Sequence, residues 1–203
     1  MASEKSGERA FQRMLSGRRL DLLNPSPLDI EIEDIAHGVA RVARWNGQTV
    51  GAHAFSVAQH SLLVEEICRK LAPEWDKRKR LMALLHDAPE YVIGDLISPF
   101  KAAIGLDYKA FENRLLEAIY RRFALPPTLP DRITMAIKAA DRIAAFYEAT
   151  QLAGFTETEA NRYFGVPRGV PAALRARLGG LDPAPVAAAQ AEFLARFHEL
   201  SRE

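Results

Sequence analysis

The residues best suited to chemistry lie in one short stretch, Leu84-Leu85-His86-Asp87-Ala88-Pro89-Glu90. An imidazole and a carboxylate stand side by side at the end of an apolar run, and a second carboxylate follows three residues after Asp87. If Leu81, Leu84 and Leu85 pack inward, His86 and Asp87 project from a buried wall. Burying an unpaired carboxylate costs on the order of several kcal/mol, so Asp87 requires a compensating cation or hydrogen-bond donors. A metal ion is the most economical candidate. His60 and Asp141 are the matching ligands elsewhere, each on the apolar face of its own predicted helix. Asp141 follows Ala139-Ala140 and precedes Ile143-Ala144-Ala145. Two imidazoles and two carboxylates, with no thiolate, suit one divalent transition metal (manganese, cobalt, iron, nickel or zinc) better than calcium, and leave positions open for water and substrate. Taken singly, each residue has a blander explanation: a core histidine bonded to backbone, or a buried cap. The order His, His-Asp, Asp is more specific than its parts.

The elements that must position these groups read as helices. Residues 1–17 are polar and suggest a frayed end or a weak first helix. Asn24-Pro25-Ser26-Pro27 marks an irregular connection. Asp29 to Arg44 carries Ile32, Ile35, Ala36, Val39 and Val42 at helical spacing, and Trp45-Asn46-Gly47 stops it. Ser56 to Leu71 and Trp75 to Ala88 are the next two helices. Pro89 predicts a break or kink near His86-Asp87. Gly94 and Pro99 mark a loop with Asp95 and Lys101 near its ends. Further helices are expected over 108–123, 131–152 and 187–200, with a short one at 171–178. Without any alternating strand pattern, the chain reads as an all-α bundle of six or seven helices with a metal site in its core. A single domain over 1–203 is expected, with a core of about 29–152 and terminal extensions at 1–28 and 154–203.

Composition narrows the function. Lys plus Arg number 27 against 26 for Asp plus Glu, a net charge of +1 that argues against a nucleic-acid polymer or a membrane surface as partner. Hydrophobic residues make up 48% and charged residues 26% of the 203 positions, ordinary for a soluble globular protein. Cys68 is the only cysteine, so no intrachain disulfide forms. With no signal-peptide pattern and no apolar run of membrane-spanning length, the expected compartment is the cytoplasm. The amphipathic helix at 108–123 or the terminal helix offers a face for a homodimer.

Ser56-Val57-Ala58-Gln59-His60-Ser61, His86-Asp87-Ala88-Pro89-Glu90 and Lys138-Ala139-Ala140-Asp141 together resemble the HD-domain metal-dependent phosphohydrolase superfamily, and within it the bacterial 5′-deoxynucleotidases. The resemblance covers roughly Ile35 to Leu152 and extends to Arg44-Trp45 and to Gly94-Asp95-Leu96 with Pro99 and Lys101. It implies that His60, His86, Asp87 and Asp141 are the metal ligands. By the same resemblance Glu90 is the catalytic carboxylate, Arg44 the phosphate-binding arginine, Trp45 the residue facing the sugar and Asp95 an acidic residue at the nucleotide site. Between Trp45 and His60, and over the first forty residues, the chain departs from the deoxynucleotidase pattern.

The chemistry follows from these types. A bound divalent ion provides hydroxide near neutral pH, Arg44 matches two phosphate oxygens with its planar fork, and Glu90 handles the proton of the leaving oxygen, as donor or as orienting base. Lys101 would add positive charge near the phosphate. The plainer readings are a helix-terminal cation for Arg44, a core cap for Trp45, a surface lysine for Lys101 and a loop or capping residue for His53. A 5′-nucleotidase acting on (deoxy)nucleoside 5′-monophosphates is the expected function. A hydrolase of a larger ester, either an alarmone or a nucleoside triphosphate, is the alternative within the enzyme class. Tyr91 speaks against the alarmone enzymes, which usually place an acidic residue there. A non-catalytic metal- or nucleotide-binding module is the alternative outside that class.

Overall fold

The computed structural model describes residues 10–96 and 106–202. The all-α class stands, with nine α-helices among the described residues rather than six or seven. They are α1 (Ile32–Val39), α2 (Val57–Leu71), α3 (Lys77–Leu84), α4 (Glu90–Ile93), α5 (Leu106–Arg122), α6 (Asp131–Gln151), α7 (Glu157–Phe164), α8 (Ala172–Leu178) and α9 (Val186–Ser201). Helix α2 is the central element, packing along α6 on one side and against α3 and α9 on the other. Its fully buried Val57, Ala58, Val64 and Ile67 join Ile35, Leu84, Leu85, Ile119 and Phe193 in one continuous core.

Three departures from the expected elements have local physical causes. Residues 1–9 lie outside the described residues, and from Phe11 the chain forms not a weak helix but an antiparallel hairpin, β1 (Phe11–Arg13) with β2 (Arg19–Asp21) in the register Phe11↔Asp21. Gly17 turns it at φ +89°, a conformation natural only to glycine. Leu20 plugs the hairpin into the core, and Asp34 of α1 accepts from Ser16 N at 3.0 Å and Ser16 Oγ at 2.5 Å.

The helix expected to reach Arg44 ends at Val39. Beyond it the backbone extends and pairs with the entry to α2: Arg44 N donates to Phe55 O at 2.8 Å, and Val57 N to Val42 O at 3.0 Å. Arg44 therefore opens a separate 3-10 turn, Arg44–Gly47. Helix α7 has no counterpart among the expected elements, although Thr156 and Glu159 form a full capping box at its start.

The break expected at Pro89 is present. Helix α3 ends at Leu84, His86 to Pro89 make tight turns, and Glu90 begins α4. Proline has no N–H to give, so it suits the cap position it holds here. Helix α4 lies close against α1 because Gly38 has no side chain. A Cβ there would fall 2.6 Å from Tyr91 Cβ and 2.9 Å from the Tyr91 backbone.

Candidate metal and phosphohydrolase site

Four side chains converge where α2, the turns after α3, and α6 meet. Ser56 caps α2 by accepting from Gln59 N, which starts the helix so that His60 faces inward, fully buried. His60 Nε2 lies 3.4 Å from Asp87 Oδ2 and 3.3 Å from Asp141 Oδ1, and His86 Nε2 lies 3.2 Å from Asp87 Oδ2. One ligand atom each of His60, His86 and Asp141 falls within 4.8 Å of the others. An ion with ligand bonds of about 2.1 Å sets neighbouring ligands about 3.0–3.4 Å apart, and the three contacts at 3.4, 3.3 and 3.2 Å fall in that range.

The outer nitrogens complete the pattern. His86 Nδ1 is 2.8 Å from Ala83 O, which can only accept, so this nitrogen carries the proton and Nε2 presents its lone pair. His60 Nδ1 is 2.5 Å from Glu148 Oε1. Both Nε2 atoms are buried and, among the described residues, without a hydrogen-bond partner, an arrangement that a cation between the rings would complete.

Charge points the same way. Among the described residues, Glu148 and Asp95 pair with the Arg44 guanidinium, while Asp87 and Asp141 lie against His60 Nε2. Burial and Arg44 both oppose a charge on His60. Nevertheless Glu148, Asp141 and Asp87 raise its pKa well above the usual imidazole range. Burial opposes ionisation of Asp87 and Asp141 as well, yet the imidazoles hold both carboxyls low, with His86 the largest influence on Asp87 and His60 on Asp141. The cluster demands positive charge, and a divalent ion fits that demand. Cys68 offers no competing ligand: it is buried, and burial pushes its thiol up to about 12.

Glu148, which sequence reasoning missed, joins this cluster to a second one. Its Oε2 accepts from Arg44 Nε at 3.2 Å, Arg44 Nη2 at 3.1 Å and Trp45 Nε1 at 3.0 Å. Arg44 Nη1 meets Asp95 Oδ2 at 3.1 Å. Burial alone would raise the Glu148 carboxyl; Arg44 and then His60 bring it down to about 2. Trp45 packs its ring against Phe155 and Phe164 at 5.6 and 5.7 Å. Trp45 and Asn46 adopt the left-handed region at φ 57° and 51°, costing about 1–2 kcal/mol each for L-residues. Strain of that kind persists only where surrounding contacts fix it. The signal for Glu148 was available: it lies two helical turns after Asp141, on a face otherwise holding Ala140, Ala144 and Tyr147.

Among the expected site residues, then, His60, His86, Asp87 and Asp141 come together, while Arg44 and Trp45 meet Oε2 of Glu148 and Asp95 meets Arg44. Glu90 is buried at the start of α4. His53 is exposed in the loop before α2, and Lys101 lies outside the described residues. A cleft of about 730 Å³ opens from His86, Asp87 and Asp141 between α5 and α6, with Tyr108, Asn113, Thr134 and Lys138 on its walls. Small-ligand clefts typically enclose about 300–1,000 Å³. No helix among the described residues is long and apolar enough to cross a membrane.

Comparison with known proteins agrees with this geometry. The profile of the family described as 5′-deoxynucleotidase YfbR-like matches residues 37–165, which contain all of the converging groups. A Rhodobacter capsulatus protein, "Uncharacterized protein RCAP_rcc00048", is 58% identical over 195 residues, covering 96% of this chain and 97% of its own. "Uncharacterized protein YfdR" of Escherichia coli is 29% identical over 194 residues, covering 95% and 96%. The chain belongs to the YfbR-like 5′-deoxynucleotidase family, within the HD-domain phosphohydrolase superfamily.

Proposed function

We propose that this chain is a 5′-nucleotidase that uses one divalent transition metal to release orthophosphate from (deoxy)nucleoside 5′-monophosphates. The observation that carries this reading is the paired imidazoles. Each has its Nδ1 anchored and its Nε2 aimed at carboxylate oxygens, beside a cleft of nucleotide size. His60, His86, Asp87 and Asp141 would hold the ion. When bound, such an ion makes hydroxide available near neutral pH and offsets charge on the phosphoryl oxygens.

The remaining residues handle substrate and proton. The water oxygen bonds to phosphorus, the bond from phosphorus to the 5′-oxygen breaks, and a proton must reach that oxygen. Glu90, on the turn directly after the His86-Asp87 pair, is assigned as the proton carrier. Arg44 spends three of its five N–H groups on Glu148 and Asp95, and the other two are assigned to phosphate oxygens. Their direction is fixed before substrate arrives, so little ordering remains to be done at binding. Trp45 is assigned to the sugar, and the Asp95 oxygen not used by Arg44 to a sugar hydroxyl. Lys101 is assigned as an added cation near the phosphate.

The test is phosphate release from a panel of ribo- and deoxyribonucleoside 5′-monophosphates with manganese or cobalt, set against 3′-monophosphates, triphosphates and an alarmone. Orthophosphate from 5′-monophosphates, lost in Asp141→Ala, is expected. Release from no monophosphate, or unchanged release by Asp141→Ala, would overturn the reading. So would pyrophosphate as the main product.

A further inference from the structure

We propose that Glu148 is a positioning residue that sets the metal-holding imidazole and the phosphate-binding guanidinium from one carboxylate. The proposal rests on the nucleotidase reading for the role of Arg44, but its metal half stands without it. Glu148 is completely buried near the C-terminal end of α6, where an unpaired carboxylate would be strongly disfavoured. Its two oxygens face different elements. Oε1 takes His60 Nδ1 of α2, while Oε2 takes Arg44 and the Trp45 indole from the 3-10 turn that follows α1.

Each contact has a directional consequence. A carboxylate that accepts from His60 Nδ1 fixes the ring plane and the tautomer, leaving the Nε2 lone pair toward Asp87 and Asp141. The opposite oxygen orients the guanidinium and keeps Trp45 in its left-handed backbone conformation, at φ 57°. Only a carboxylate satisfies both ends, because every partner is a donor. Glutamine has one accepting and one donating end, so Glu148→Gln must set an N–H against either His60 or the Arg44–Trp45 pair. Aspartate keeps the charge but is one methylene shorter, and does not span both partners.

The experiment compares wild type, Glu148→Gln and Glu148→Asp, with Glu65→Gln as a control. Glu65 is an equally buried carboxylate on α2 whose partners are Arg80 and Arg196, away from the site. Cobalt(II) affinity of the metal-stripped proteins is read by calorimetry, and KM and kcat for a 5′-monophosphate at saturating cobalt. Glu148→Gln is expected to weaken cobalt binding about 10–100-fold, the usual effect of losing a partner behind a ligand. At saturating cobalt its KM is expected to rise, with Glu148→Asp falling between it and wild type. Glu65→Gln is expected to lower the melting temperature and leave cobalt affinity and KM unchanged.

Cobalt affinity within twofold of wild type in Glu148→Gln would overturn the proposal, as would an equal loss in Glu65→Gln. If Glu148→Gln does not fold, Glu148→Asp decides by the same criteria. Should wild type release no phosphate, the nucleotidase reading fails, and the cobalt arm still decides what Glu148 does for His60.

Discussion

Helix α2 carries two buried titratable side chains, His60 and Glu65, five positions apart, and their surroundings differ in one respect. Glu65 is met by Arg80 Nε of α3 at 2.6 Å and by Arg196 of α9, while Glu199 receives Arg196 Nε at 3.1 Å. There the carboxylates and guanidiniums are equal in number, and the network ties three helices together. At His60, among the described residues, the carboxylates of Asp87, Asp141 and Glu148 converge with one guanidinium, that of Arg44 on Glu148, and the Nε2 atoms of His60 and His86 have no hydrogen-bond partner. Burial of charge therefore does not mark a functional site by itself. The imbalance does, since a structural network closes on itself and a binding site is completed by its ligand.

Mutations can break this contrast from either side. Asp141→Ala should have the largest effect on function, reducing phosphate release to background while the far-ultraviolet circular dichroism stays native. Arg80→Met should do the reverse. It leaves Glu65 half-paired in the core and should cost about 3 kcal/mol by urea unfolding, with metal affinity unchanged. Retained stability in Arg80→Met would mean that the Glu65 network is not a structural tie.

Gly38→Ala sits between the two regimes. Its Cβ would overlap Tyr91, so α4 must move away from α1. A loss of about 1–3 kcal/mol is expected, together with a lower kcat because α4 begins with Glu90. A stability loss with kcat intact would remove Glu90 from the proton-carrying role.

The smallest effect lies at the surface. Hydrogen bonds from Arg122 and Arg18 hold the Glu31 carboxyl below its ordinary 4.5. The ionised form therefore favours the folded state; its contribution is complete above that pH and is lost as the pH falls below it. Glu31→Gln should remove roughly 0.5 kcal/mol at pH 7, and the loss should shrink as the pH is lowered below the ordinary carboxylate range, measured by urea midpoints along the series.

The converging residues were legible because each breaks a local rule: a titratable group stands in an otherwise apolar stretch. His60, His86, Asp87 and Asp141 all announce themselves in that way, and Pro89 announces the turn that holds two of them. Glu148 breaks the same rule at the same spacing, but it belongs to no familiar motif and its partners lie 88 and 104 residues away in sequence. Such pairings are set by tertiary packing, which periodicity does not report. The hairpin at residues 11–21 escaped for a related reason: its strands are three residues long, too short for an alternating pattern to appear. The early end of α1 was equally hidden, since Val42 and Arg44 leave helical geometry only because the segment before α2 offers them backbone partners.

The claim beneath all of this is that the charge imbalance at His60 is a divalent-metal site. Titration of the metal-stripped protein with cobalt(II), followed by its visible absorption, tests it directly. One tightly bound equivalent per chain is expected in wild type and in Glu65→Gln, and none in His60→Ala or Asp141→Ala. Equal cobalt uptake by all four proteins would contradict the account.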